Sequence, residues 1–557
     1  MERKWWTLLA VCLGMFMLLV DITIVNVALP SIQDSLHATF ASLEWVVDAY
    51  ALSLAALLLT AGSLADLFGR RLLFSSGLAI FTVGSLLCAL ATSPLFLVLS
   101  RAGQGIGGAI MFATSLALLA DAFRGRERAT ALAVWGAVSG VAVAVGPVLG
   151  GLITSGWSWR GIFFVNLPVG VFAIVVTLWR VAESRDPHPR GVDWAGLVSF
   201  TTALSALVYG LIRAGEQGWG DIGVAICLGC AVALLAVFIV VERFSRRSMI
   251  DLALFRVPTF AGGSVAAFAV NGCAYAMVLY LVLYLQDLLG YSALQTGLRL
   301  AILSAATLPA AMASGRLTSH VPARWLIGPG LVLCGAGLVV MAGLSAASGW
   351  THLIAGLVLV GVGSGLVNPA LAGTAVGVVQ PRQAGMASGM NTTFRQVGIA
   401  TGIAVFGTLF TSRITDQIVS GLRATPAAGR ARGVATAVSQ GQGQAAIAAL
   451  PHGTQRVAGA VVRSAFVSGL NEILLVSGVA ALVMAVAAMI LIRSKDFAAH
   501  APSPAGPGAE AAQSPGPAAA EPVGSGPATA APTSLTQEVP ERLAGDLPAG
   551  AGRGRRL

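Results

Sequence analysis

The sequence predicts an all-α membrane protein with fourteen transmembrane helices. Two features of composition and one of charge order carry this. Of 557 residues, 56% are apolar and only 10% are charged, whereas a soluble domain carries about 25% charged residues. The apolar residues are gathered into runs of about the length that spans a bilayer core. The basic residues fall between those runs, alternately frequent and scarce.

The runs lie at about 7–29, 46–66, 72–92, 95–120, 131–153, 163–181, 194–212, 222–242, 260–286, 295–315, 325–346, 352–378, 388–411 and 470–492. We number them spans 1 to 14. Span 1 follows Glu2, Arg3 and Lys4 and resembles a signal peptide. It is too long for one, contains Asp21 and Asn26, and lacks a small-residue cleavage site, so it is read as an uncleaved first span.

With the N-terminus inside, nineteen basic residues fall in inside segments: Arg3 and Lys4, Arg70 and Arg71, Arg124 to Arg128, Arg180 to Arg190, Arg243 to Arg256, Arg316 and Arg324, Arg382, and Arg493 with Lys495. The short outside loops carry Arg160 and Arg213 alone. Adding or removing one span would scramble this order. A long outside loop, 412–469, carries six arginines, and long loops translocate largely regardless of charge. Residues 496–557 are rich in Ala, Pro, Gly and Ser and predict a disordered cytoplasmic tail.

The formal net charge of +10 does not point to nucleic acid, because the basic residues form no single polar patch. All six cysteines lie in apolar runs. Cys227 and Cys230 form a CxxC with no histidine or second CxxC nearby, which reads as two small residues in a helix. Gly103, Gly105 and Gly108 spell GxGxxG, but inside an apolar helix rather than after a strand. The Asn391–Thr393 sequon lies in or beside span 13. There is no Walker loop, HExxH or nucleophile elbow, so no cofactor is expected and ATP-driven transport has no support within the chain.

Four strings stand out: LLVDITIVNVALP in span 1 (Leu18 to Pro30), GSLADLFGRR after span 2 (Gly62 to Arg71), LVLSRAGQGIGGA in span 4 (Leu97 to Ala109) and AVAVGPVLGG in span 5 (Ala142 to Gly151). WSWRGIFFVNLPVG (Trp157 to Gly170) and GMASGMNTTFRQVGIATGIAVFG (Gly385 to Gly407) join them. In this order and spacing they resemble the signature motifs of the major facilitator superfamily, in its fourteen-span, proton-coupled drug-exporter branch. The resemblance covers about residues 1–495. Leu67 stands where the span-2 motif usually has a basic residue, and Ala133 and Ala142 replace two glycines of the span-5 motif.

The resemblance implies the major facilitator fold: two six-helix halves, at 1–182 and 257–495, that rock about a central cavity. A two-helix insert with its linker occupies 183–256. It also implies an inner-gate motif at Gly62, Asp66, Gly69, Arg70 and Arg71. The span-5 antiporter motif falls on Gly140, Gly146, Pro147, Gly150 and Gly151. The residues have their own physics. Gly136, Gly140, Pro147 and Gly151 recur near one helical face, where small residues let helices meet backbone to backbone, and Pro147 permits a bend.

Intramembrane charges are functional candidates by default. Asp21 lies ~13 Å below the outer end of span 1, and Arg101 ~9 Å below the outer end of span 4, so the two share a depth. Asp21 reads either as a protonation site or as a carboxylate that only hydrogen-bonds Thr23, Asn26 or a neighbouring helix. Asp48, toward the outer end of span 2, reads as a second proton carrier, a counter-ion for cationic substrate, or a rim acid without a role. Asp21, Asp48 and Arg101 are the proton-coupling candidates. Glu472 and Asp287 sit at outer helix ends, where hydration suffices. Arg395 lies where it can snorkel to the inner surface.

These readings converge on a proton-driven exporter of amphipathic drugs, antibiotics or secondary metabolites. An exporter of lipids or siderophores on the same fold stays open, as does, remotely, a membrane-embedded enzyme. The expected partners are a small amphipathic substrate, protons and the bilayer, with no nucleic acid. The protein is expected to be a monomer in the cell membrane, both termini cytoplasmic. Cavity candidates, chosen as polar or aromatic residues in spans near the expected interface, are Asn26, Trp135, Asn271, Met277, Tyr284, Gln286, Asn391 and Arg395.

Overall fold

The computed structural model describes residues 2–498, apart from residues 124, 186–190, 246–250, 319, 380–383 and 440–442. The expected tail from 499 onward, and Arg124, Arg190, Arg246, Arg247 and Arg382, lie outside the described residues.

Fourteen helices among the described residues are long and apolar enough to cross a membrane, and none of these residues is in a strand. They are span 1 Arg3–Leu36, span 2 Phe40–Phe68, span 3 Arg70–Ala89, span 4 Pro94–Ala122, span 5 Gly125–Gly156, span 6 Gly161–Arg180, span 7 Trp194–Gln217, span 8 Ile222–Phe244, span 9 Pro258–Leu288, span 10 Ala293–Leu317, span 11 Arg324–Met341, span 12 Leu353–Gly377, span 13 Ala384–Leu422 and span 14 His452–Leu491. In lipid no water satisfies the backbone, so each segment closes its own hydrogen bonds as a helix. We call the face at which span 1 begins the N-terminal side and the other the distal side.

Local chemistry sets the ends. The left-handed His37, with φ 49°, stops span 1. Thr39, Ser93, Asp193 and Asp221 cap spans 2, 4, 7 and 8 through side chains that accept the first free amides. Ser292 and Gln295 form a capping box at span 10. Arg213 Nε donates to Asp221 Oδ1 at 2.8 Å, closing the turn between spans 7 and 8. That hydrogen bond holds the Asp221 carboxyl below its usual range.

Span 1 packs against spans 5 and 6, and span 4 against spans 2 and 3. Span 12 packs against spans 10 and 11, and span 14 against spans 11 and 13. Spans 7 and 8 pair with each other, and span 7 lies against spans 2 and 13. Thr408 on span 13 donates to the Leu211 carbonyl of span 7 at 2.6 Å.

Glycines set the close crossings. A Cβ on Gly105 would lie 2.6 Å from the Tyr50 carbonyl, and one on Gly107 2.5 Å from the Phe81 nitrogen. The span-4 glycines are therefore contact points with spans 2 and 3. Spans 9 and 13 cross as closely at Gly272, Gly398 and Gly402. Span 9 also contains two π-helical stretches, Val270–Tyr275 and Tyr284–Leu288. Such stretches are rare in helices and gather at functional sites.

One expectation is corrected. The segment 412–469 is not a long loop. Spans 13 and 14 run on into it as helices, and short helices at Ala431–Ser439 and Gly443–Ala448 join them. The reason is apolar patterning at helical spacing. Ile414, Ile418 and Leu422 on one extension and Ala458 and Ala465 on the other are buried in one cluster, and a Cβ on Gly421 would touch Val461. Arg413 and Glu472 pair across the two extensions at 3.0 Å, so Glu472 is not simply hydrated. Asp287 is exposed, as a helix-end acid should be.

Candidate functional site

The intramembrane charges separate into three places.

The first is a closed network around Asp21. Arg101 Nη1 donates to Asp21 Oδ2 at 2.5 Å. Gln104 Nε2 and Asn166 Nδ2 donate to Asp21 Oδ1 at 2.9 and 3.1 Å. Both amides also reach Ser85 Oγ, at 2.7 and 3.2 Å. Arg101 spends Nε on the Val46 carbonyl at 3.2 Å and lies 4.2 Å from the Tyr50 ring centre. All five polar side chains are buried. Spans 1, 3, 4 and 6 each contribute, so the network ties four helices together. The shared depth of Asp21 and Arg101 was legible; Ser85, Gln104 and Asn166 were not singled out. Gln104 was findable, because it lies one turn after Arg101 on the same helix face.

The second place is span 2, and it corrects the reading of Asp48 as a rim acid. Asp48 is fully buried, and neither carboxyl oxygen has a hydrogen-bond partner among the described residues. The rim reading failed because the helix begins at Phe40 rather than near residue 46, which places Asp48 ~12 Å inside span 2. One turn earlier is Glu44, which sequence reasoning missed although it repeats the acid at i−4. Glu44 is also buried. The Tyr280 hydroxyl of span 9 lies 3.4 Å from Glu44 Oε1 and donates to the Ile403 carbonyl of span 13 at 2.6 Å.

The third place is Arg395, which does not snorkel. Its Nε donates to Asn391 Oδ1 at 3.1 Å and its Nη1 to Asn368 Oδ1 of span 12 at 2.8 Å.

The other cavity candidates scatter. Asn271 Nδ2 is spent on the Ala267 carbonyl at 2.9 Å. Met277 and Tyr284 are fully buried in the core, and the Tyr284 hydroxyl reaches the Ser348 carbonyl at 3.0 Å. Gln286 donates to the Val27 carbonyl of span 1 at 2.8 Å. Asn26 and Trp135 are half-buried, and the Trp135 Nε1–H has no partner among the described residues.

The span-5 glycines divide between two neighbours. Added Cβ atoms on Gly146 and Gly150 would run into Thr23 and Ile24 of span 1. One on Gly151 would meet the Ala293 carbonyl of span 10, and one on Gly297 the Pro147 carbonyl. Leu294 N also donates to Ser155 Oγ at 3.0 Å. Spans 5 and 10 therefore touch backbone to backbone near the distal side. Toward the N-terminal side their glycines make no such close approach among the described residues. Nothing lies within 4 Å of a Cβ on Gly136 or Gly315, and Gly140 finds only Leu308, at 3.9 Å. Spans 2 and 13 stay in contact there, through Leu59 and Gly389.

The turn between spans 2 and 3 rests on Gly69, whose φ of +112° suits glycine. Arg71 N and Leu72 N donate to the Glu183 carboxylate at 3.0 and 3.2 Å, and Arg70 N to the Ser184 carbonyl at 2.9 Å. Glu183, just after span 6, thus caps span 3; it was not among the expected residues. Nothing lies within 4 Å of a Cβ on Gly62. The side chain of Asp66 lies outside the described residues.

Buried charges held between many apolar spans, with helices that cross backbone to backbone at glycines, are the equipment of a polytopic membrane transporter. The chain belongs to the Major Facilitator Superfamily, whose sequence pattern matches residues 11–403. It is 36% identical over 422 residues to the multidrug resistance protein Stp of Mycobacterium tuberculosis, covering 75% of this chain and 78% of that one. It is 34% identical over 493 residues to the tetracenomycin C resistance and export protein of Streptomyces glaucescens, covering 87% and 91%. Among solved structures it matches a bacterial homologue of the human lysosomal transporter Spinster, inward-facing and unoccupied, with a TM-score of 0.58 at 19% identity. That match covers 90% of this chain and 99% of the other.

Proposed function

We propose that this protein exports small amphipathic drugs, antibiotics or secondary metabolites across the cell membrane by alternating access, driven by protons. The observation that carries export is its likeness, along nearly its whole length, to a protein of resistance and export. Spans 5 and 10 meet backbone to backbone on the distal side, whereas Leu59 and Gly389 bring spans 2 and 13 together on the N-terminal side. By the loop charges that side is the cytoplasm. Residues 1–182 and 257–495 are the two rocking halves, and spans 7 and 8 the insert between them.

Proton coupling is assigned to Asp48 rather than to Asp21. Asp21 already has a cation and two amide donors, so it serves as the counter-ion that fixes Arg101. Asp48 is fully buried and has none among the described residues, and a charge there lacks any compensation. The simplest partner for it is a proton, taken up when the distal side opens and released when it closes. Drug uptake into inverted vesicles under an imposed pH gradient tests the function. Gradient-driven uptake that collapses with a protonophore supports it; uptake that needs ATP and ignores the gradient refutes it.

A further inference from the structure

Arg395 is a charged group without a counter-charge among the described residues. It projects, half-buried, from the first third of span 13 toward spans 9 and 12. Its two fixed contacts are neutral amide oxygens, Asn391 Oδ1 and Asn368 Oδ1. Among the described residues no carboxylate forms an ion pair with it. That contrasts with Arg101, whose counter-ion is built in. Polar and ring groups complete the surroundings. The Tyr275 hydroxyl of span 9 faces Ser364 and Asn368 of span 12. Tyr275 and Phe394 are half-buried against one apolar cluster.

Two amide oxygens orient a guanidinium but do not neutralise it. A guanidinium has five N–H donors in a planar fork, and Nη2 makes no hydrogen bond to either amide. A cation held at membrane depth is costly unless an anion joins it. Planar oxyanions match the fork geometry best.

We propose that Arg395, steered by Asn368 and Asn391, is the recognition site for a single oxyanion, a carboxylate or phenolate, on an otherwise apolar aromatic substrate. The inference rests on the export reading and narrows its substrate class to acidic amphiphiles. The anionic end docks on Arg395, and the apolar body lies against Tyr275 and Phe394. Glu44 and Asp48 on span 2 offer nothing to an anion, so acid recognition falls to the span-13 side alone.

The test uses the purified full-length protein in nanodiscs and a matched pair of probes, 1-pyrenebutyrate and its neutral amide. The two share ring and chain and differ in charge. Wild type should bind the anion about tenfold more tightly than the amide, the worth of one charge-assisted contact. Arg395→Gln should lose that preference while keeping its affinity for the amide. Arg395→Lys should keep part of it, since a point charge survives without the fork. If Arg395→Gln does not fold, Asn368→Leu serves instead. It leaves the charge but frees its orientation, and should reduce the preference severalfold. A wild-type preference below twofold, or a preference undiminished in Arg395→Gln, overturns the site. Transport of both probes by wild-type proteoliposomes under an imposed pH gradient reads the export function separately. Absent transport with an intact anion preference would sink export and leave the site standing.

Discussion

Arg101 Nη1 on span 4 and Asp21 Oδ2 on span 1 lie 2.5 Å apart, both shut away from solvent. Gln104 touches each of them, donating to Asp21 Oδ1 at 2.9 Å while its own Oε1 accepts from Arg101 at 2.6 Å. The triangle makes the pair a structural bolt through the first six spans. Its consequence for mutation is asymmetric: one half of a buried pair is worse than none.

Asp21→Asn, and separately Arg101→Gln, should each lower the thermal stability of the purified protein, by about 3–5 kcal/mol if the remaining charge stays buried. The double variant should recover a good part of that loss, because no lone charge is left. Thermal melts in detergent check this. Equal losses that simply add would show that the pair is not coupled.

Asp48→Asn should behave differently. The side chain keeps its shape, and no partner is lost because none is present. Stability should change little. Exchange of drug down its gradient should persist, while accumulation against the gradient should stop. Proteoliposome efflux with an imposed pH gradient separates the two, and wild-type accumulation by Asp48→Asn would return proton coupling to another acid.

Glycine substitutions should divide by neighbour. Gly146→Leu wedges span 5 off Thr23 of span 1, within one packed group. It should damage folding first, by about 1–3 kcal/mol or more. Gly297→Val presses on the Pro147 carbonyl across the distal seam. It should leave expression nearer to normal, hold the distal side ajar and lower export. Labelling of a cysteine placed at the buried Val27 should then rise from the distal side. An unchanged labelling rate would place the moving seam elsewhere.

Fusions of a cytoplasmic reporter after Arg190 and after Arg247 should both be active, since these sites flank the two-helix insert and carry the inside charge excess. Removing residues 500–557 should leave transport unchanged, because that segment has too few apolar residues to join the bundle. A distal reporter signal at either fusion site would break the topology.

Sequence alone determined the fourteen spans and their alternation. The reason is physical: twenty apolar residues have few fates other than a helix in lipid, and loop arginines resist translocation. It also marked Asp21 and Arg101 as a pair, because two opposite charges at one depth in lipid have strong cause to meet. The helical character of 412–469 was legible in part, in Ile414, Ile418 and Leu422, but short apolar stripes compete poorly with a loop reading. Tertiary structure decided the rest. Whether an acid is satisfied depends on which helices face it, and helix rotation is not written in hydropathy. Hence Asp21 gained Gln104 and Asn166, Asp48 gained nothing, and Glu44 met Tyr280 from a span more than two hundred residues away. The same rotation turned Gly146 toward span 1 and Gly151 toward span 10, although five residues separate them on one helix.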